Sequence, residues 1–148
     1  MKDVVVDASL AIKWVLREED SQVAKALLQT WKSEGVSVLA PGLFTSEVTN
    51  ILHRQVVSAK LSYNDAQQLL KKLLSIGIIF DFSDYEEISI RAMDFAHQFN
   101  LAAAYDAHYL ALAEYYGCLF WTADARLFHA VSGKLPWIRE MSSSTDRA

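Results

Sequence analysis

The strongest constraint on the fold is a rhythm of four short apolar runs set between much longer stretches of helical period. The runs are residues 4–7, 36–40, 78–82 and 119–122, the first being Val4-Val5-Val6 closed by Asp7. They are rich in β-branched and aromatic residues, too short for helices, and bounded by Gly, Pro or Asp, which is how buried strands read. Between them the apolar residues recur every three to four positions. Leu10, Ala11, Trp14 and Val15 give a short helix, and Val23, Ala24, Leu27, Leu28 and Trp31 a second, entered at Asp20-Ser21 and closed by Gly35. Further helices are expected over about 43–59, 63–75 (with Ser62 as N-cap), 85–99, 102–116 and 124–131, and Trp137-Ile138 offers a fifth strand. Strands that alternate with helices call for crossover connections and hence parallel pairing. The expected fold is therefore α/β: one domain over 1–140, with a mostly parallel central sheet of four or five strands covered by helices on both faces. The polar residues of 141–148 have nothing to bury, and a disordered tail is expected there.

Composition narrows the function classes. A chain of 148 residues suits a single domain. No apolar run approaches the roughly 20 residues of a membrane span, and the acid-flanked valines near the start are not a signal peptide, so a cytoplasmic protein is expected. The single cysteine, Cys118, leaves no internal disulfide and no cysteine-based zinc site, and its apolar neighbours make it core filling. A net charge of −4 argues against tight nonspecific nucleic-acid binding by Lys and Arg. It leaves room for a nucleic-acid enzyme whose metal ions supply the local positive charge.

Open parallel sheets bind ligands beyond the carboxyl ends of their strands, where the strand order reverses. Asp7 and Asp124 both follow strands and so belong to that edge. Singly, each has an ordinary explanation as a helix N-cap. Glu47 flanks the apolar stripe Phe44, Val48, Ile51 and Leu52, with Asn50 one turn on along the same flank. Its ordinary explanation is a salt bridge to Arg54. Asp106 lies on a helix that is apolar around most of its circumference, sharing a face with Ala103, Leu110 and Ala113, a costly place for an unpaired charge. Glu114 is about 12 Å further along that helix, too far to share an ion with Asp106, and reads as an ion-pair partner. Four crowded carboxylates would repel one another unless some took up protons or a divalent cation lay among them. Oxygen donors without paired His or Cys favour Mg²⁺ or Mn²⁺ over zinc. Ser9 and Thr122 offer hydroxyls beside Asp7 and Asp124. The histidines (His53, His97, His108, His129) show no ligand spacing and read as structural or exposed.

At these residues the sequence resembles the PIN domain family, and within it the VapC-type toxin ribonuclease of a VapBC toxin–antitoxin pair. Val5-Val6-Asp7-Ala8-Ser9 resembles the first acidic motif, and Pro41 with Ser46-Glu47-Val48-Thr49-Asn50-Ile51-Leu52 the second. Tyr105-Asp106-Ala107-His108-Tyr109-Leu110-Ala111-Leu112-Ala113-Glu114 is similar to the third, and Thr122-Ala123-Asp124-Ala125-Arg126-Leu127 to the fourth. The likeness covers about residues 3–138. It implies Mg²⁺-dependent endonucleolytic cleavage of RNA, with Mn²⁺ able to substitute, by a homodimer inhibited by a cognate antitoxin. Asp7, Glu47, Asp106 and Asp124 would be the catalytic, metal-binding acids, supported by Ser9, Asn50 and Thr122. The substrate would be single-stranded RNA, with Lys13 and Arg17 as phosphate contacts. The sequence departs from the family in Phe120-Trp121, where smaller aliphatic residues are usual.

Three other readings compete. A haloacid-dehalogenase-like phosphotransferase would need a second Asp where Ser9 stands. A non-enzymatic, receiver-like Mg²⁺-binding module would need adjacent acids at the end of the first strand, and none accompanies Asp7. A PIN-type RNA-processing nuclease without an antitoxin is not separable from a toxin on sequence. Gly-rich phosphate loops and dinucleotide fingerprints are absent.

Overall fold

The structure, a computed structural model, describes residues 2–142. Residues 143–148, most of the expected tail, lie outside the described residues, whereas Met141 at its start is buried. The described chain runs β1 (Asp3–Val6), α1 (Ala8–Ala11) with a 3₁₀ turn at Ile12–Trp14, α2 (Ser21–Glu34), β2 (Ser37–Pro41), α3 (Leu43–Val57), α4 (Tyr63–Leu74), β3 (Ile79–Asp81), α5 (Tyr85–Gln98), α6 (Tyr105–Tyr116), β4 (Leu119–Thr122), α7 (Ala125–Val131) and β5 (Ile138–Glu140). It is an α/β domain built on a five-stranded sheet in the order β3-β2-β1-β4-β5, with parallel pairing throughout. Val4, Val5 and Val6 point alternately to opposite faces of β1, yet all three are buried, so the centre of the sheet is covered on both sides. Among the described residues no helix is long and apolar enough to cross a membrane.

Topology fixes where a ligand can sit. From β1 the chain first moves to β2 and β3, then crosses back to place β4 and β5 on the other side of β1. The order therefore reverses between β1 and β4, and the crevice beyond their carboxyl ends is the switch point of the sheet. The β1–β4 register sets Val6 opposite Trp121, which brings Asp7 level with Thr122.

One element starts later than its composition suggests. Helix α6 begins at Tyr105, not at Ala102. Ala102 and Ala103 are exposed, with no apolar side chain to bury, and helix propensity by itself does not hold them in a helix. The preceding helix closes with Asn100 in the left-handed region (φ 52°) and Leu101 N–H bonded to the Ala96 carbonyl (2.9 Å). Residues 101–104 then serve as the connection. Within α6, Ala107 and Tyr109 through Ala113 are all buried, as the apolar circumference requires. The unusual aromatic pair on β4 is absorbed by packing: Phe120 stacks on Tyr109 (centroids 6.1 Å), and Trp121 meets Trp31 edge-on (5.9 Å).

Candidate active site

Asp7 ends β1 and serves as the N-cap of α1. Its Oδ1 accepts from the Leu10 N–H (3.1 Å) and the Ser9 hydroxyl (2.7 Å), and its Oδ2 from the Thr122 hydroxyl (2.5 Å). Each hydroxyl that donates to Asp7 also accepts from the chain after β4: Ser9 Oγ from Ala123 N–H (3.1 Å), and Thr122 Oγ1 from Asp124 N–H (3.0 Å). Ser9 and Thr122 thus lace the end of β1 to the end of β4. Although it accepts three hydrogen bonds, Asp7 is only 4% exposed, and burial pushes its carboxyl up to about 7, with the charge of Asp106 adding to the effect.

Asp124 is the N-cap of α7, its Oδ1 accepting from Arg126 N–H (3.0 Å) and Leu127 N–H (3.1 Å). Its other oxygen stays outside the cap. Asp106 stands in the first turn of α6, where the helix dipole favours a negative charge. Burial raises its pKa above the ordinary range, and the neighbouring Asp124 carboxylate raises it further. Glu47 projects from α3, half-buried, and its Oε1 accepts from the Tyr109 hydroxyl (2.5 Å). Its pKa is also raised, by burial first and then by Asp106, with His108 pulling the other way. Asp106 is therefore the common neighbour: its charge acts on Asp7 and on Glu47, and that of Asp124 acts on it. The four acids expected from sequence converge, carried by the loop after β1, by α3, by α6 and by the loop after β4.

The expected supporting residues divide. Ser9 and Thr122 touch Asp7 directly. Asn50 is exposed and lines a shallow recess on α3 with Thr45, Ser46, Thr49 and His53. Lys13 is held by Glu18 (3.3 Å) and Asp20 (2.9 Å), so its charge is already answered within the chain, and Arg17 is exposed. Glu47 pairs with Tyr109 in place of Arg54. Glu114 forms the expected ion pair, with Arg91 (Nε–Oε1 2.6 Å, Nη2–Oε2 3.0 Å). Tyr109 was not picked out from sequence. Its signal was a phenol three residues after Asp106 on a fully buried helix face, where the hydroxyl must find a partner. Cavity size does not locate the site either. A concavity of about 850 Å³ lies along α5 and α6, lined by Glu86, Ile90, Arg91 and Glu114 and by none of the four acids.

Does this donor set fit a divalent cation? Among the described residues no three acidic, His or Cys side chains stand close enough to hold an ion as they are. The chemistry fits. The donors are all oxygen, three of the four carboxyls are raised by burial and by a neighbouring acid, and among the described residues no side-chain hydrogen bond ties Asp106.

A sequence model of the family described as PIN domain matches residues 4–134. No curated protein matches the chain. Solved structures share its fold. PAE2754 from Pyrobaculum aerophilum is 22% identical, with a TM-score of 0.65, over 99% of this chain and 88% of that one. A toxin–antitoxin complex from Klebsiella pneumoniae is 20% identical, with a TM-score of 0.62, over 91% and 94%. VapC20 of Mycobacterium tuberculosis, a toxin that cleaves the sarcin–ricin loop, is 18% identical, with a TM-score of 0.61, over 86% and 95%.

Proposed function

The chain belongs to the PIN domain family, and from that premise we propose that it is a Mg²⁺-dependent endoribonuclease, the toxin of a VapBC-type toxin–antitoxin pair acting in the cytoplasm. One observation carries the reading: carboxylates from three separate stretches, Asp7, Glu47 and Asp124, interact with a fourth, Asp106, near the switch point of the sheet. Buried acids that raise one another's pKa cost stability and are characteristic of functional sites. A divalent cation held by Asp7, Glu47, Asp106 and Asp124 would supply an activated water for attack on a phosphodiester and offset the charge of the leaving oxygen. The chain's own part is positional. Ser9, Thr122 and the α1 cap fix Asp7, the α7 cap fixes Asp124, and Tyr109 fixes Glu47. The structural neighbours that are toxins or toxin–antitoxin complexes support a cognate antitoxin as partner. Exposed apolar side chains such as Val57 (72%), Ile90 (61%) and Met93 (71%) offer surface for that partner and for a second copy in a homodimer.

The decisive experiment is induction of the wild type beside Asp7→Asn in a host without the antitoxin. Growth arrest by the wild type alone, relieved when the antitoxin is supplied, is the expected result. Harmless expression of a protein that still cleaves RNA in vitro would point to an RNA-processing nuclease without an antitoxin.

A further inference from the structure

A separate recess opens on the same edge of the sheet as the acids, beyond the carboxyl ends of β2 and β3. The β2–β3 register pairs Pro41 with Asp81, so the stretches that leave these strands, residues 42–43 and 82–84, stand side by side. The recess measures about 230 Å³ and is lined by Gly42, Phe82, Tyr85, Ile88, His108 and Leu112 among others. Phe82 and Tyr85 are 70% and 77% exposed, although a phenylalanine ordinarily buries its ring. The Phe82 ring rests against Gly42: a Cβ there would stand 2.4 Å from Phe82 Cε1. Gly42 has an ordinary helical backbone (φ −56°), so its missing side chain serves this contact and not the turn.

The recess adjoins the acids. His108, on its wall, stands two residues after Asp106 on α6, and its charge acts on Glu47. Strand β2 lies between β1 and β3, and neighbouring strands are about 4.8 Å apart, so the recess is about 5–10 Å along the sheet from the end of β1. Its chemistry selects the occupant. Drug-sized ligands take pockets of roughly 300–1,000 Å³, so about 230 Å³ suits a single planar ring system. Asp81 on the wall and Asp84 beside it disfavour a phosphate there, whereas an uncharged base gains from stacking on aromatic side chains. Single strands offer such bases, because they are unpaired and can be splayed out. We infer that the recess takes one unpaired base of an RNA strand, stacked on Phe82 and Tyr85, while the backbone of that strand passes the acids. This rests on the ribonuclease reading above and deepens it by giving the substrate a base-binding position beside the point of cleavage.

The test uses the full-length protein and a fluorescein-labelled single-stranded RNA of about 12 nucleotides. Binding is read by anisotropy in EDTA, and cleavage separately in Mg²⁺. Phe82→Ala and Tyr85→Ala should each weaken binding about 5-fold or more, the usual loss for one stacked base. Gly42→Ala, which pushes the Phe82 ring off its seat, should weaken it too. An abasic probe of the same length, with ribose and phosphate only, should bind the wild type and the three variants alike. A wild-type measurement stands independently of how any variant folds: the ring protons of Phe82 and Tyr85 should shift upfield in NMR spectra when the RNA is added. Wild-type affinity in all three variants, an equal loss on the abasic probe, or ring protons unmoved by bound RNA would overturn the base site and leave the nuclease reading standing. So would variants that keep RNA affinity and lose only self-association or a protein partner. A wild type that neither binds nor cleaves RNA would overturn the nuclease reading and this inference with it.

Discussion

Asp7 accepts three hydrogen bonds and is still held near neutrality, because burial outweighs the donors. The linkage follows directly. Its folded pKa, about 7, lies above the ordinary 3.8, so between about pH 4 and pH 7 the folded state holds a proton that the unfolded chain has released. The stability associated with that proton is full below pH 4, is lost as the pH rises towards 7, and is flat above. Glu47 and Asp106, also raised, act in the same direction. In chelator, Asp7→Asn should therefore gain on the wild type across this window, by on the order of 1–4 kcal/mol at pH 8. Urea unfolding of both proteins at pH 4 and pH 8 reads this out, and an advantage that shrinks with rising pH would refute it. For activity the order reverses. On the proposed mechanism, Asp7→Asn and Asp106→Asn should each lower RNA cleavage by about a hundred-fold or more, since each removes a charge that a bound cation would require. Near-wild-type cleavage by both would remove these acids from the site.

At the scale of elements, the site depends on where helices begin and end. Two of the acids are caps, and a third lies in the first turn of α6 because that helix starts at Tyr105. The far end of α6 is equally constrained. Gly117 adopts φ +63°, its N–H returns to the Glu114 carbonyl (3.1 Å), and β4 begins two residues later at Leu119. A left-handed residue is what lets the chain reverse so sharply, and a Cβ is disfavoured there although the surroundings are open. Gly117→Ala should cost about 1–2 kcal/mol, visible as a lower urea midpoint with an unchanged slope. An unaltered midpoint would show that the turn relaxes. The Arg91–Glu114 pair between α5 and α6 is much weaker in its consequences. Both side chains are about 40% exposed, so Glu114→Gln should change stability by less than about 1 kcal/mol, and still less in high salt.

For the whole molecule, a cation bound at the acid cluster, as proposed, would be a matter of stability as well as chemistry. A divalent ion that binds only the folded chain should raise the melting temperature with concentration and restore cleavage abolished by EDTA. Cleavage indifferent to chelator would end the metal-dependent reading. The order of strands and helices was legible in the sequence because strand and helix leave different apolar periods, and the buried valines of β1 leave little choice of partner layer. Asp7, Glu47, Asp106 and Asp124 were legible too, since a carboxylate at a strand end or on an apolar face stands out against its surroundings. Hydroxyl and phenol partners were less so. Ser9 and Thr122 could be named by adjacency, but Tyr109 could not, because an aromatic on a buried helix face looks like any other core residue until its hydroxyl meets Glu47. Lys13 shows the opposite limit: close after Asp7 and one helical turn before Arg17 it reads as a phosphate contact, and in the fold it pairs with Glu18 and Asp20.

The sequence by itself determined the alternation that makes a parallel sheet and the acids that such a sheet gathers at its carboxyl edge, because both are written in local period and local polarity. Only the tertiary structure decided which oxygens of Asp7, Glu47 and Asp124 are engaged, that the charge of Asp106 bears on both Asp7 and Glu47, and that Tyr109 orients Glu47. These are contacts between stretches from 62 to 115 residues apart, set by strand register and helix start, and no local pattern encodes them.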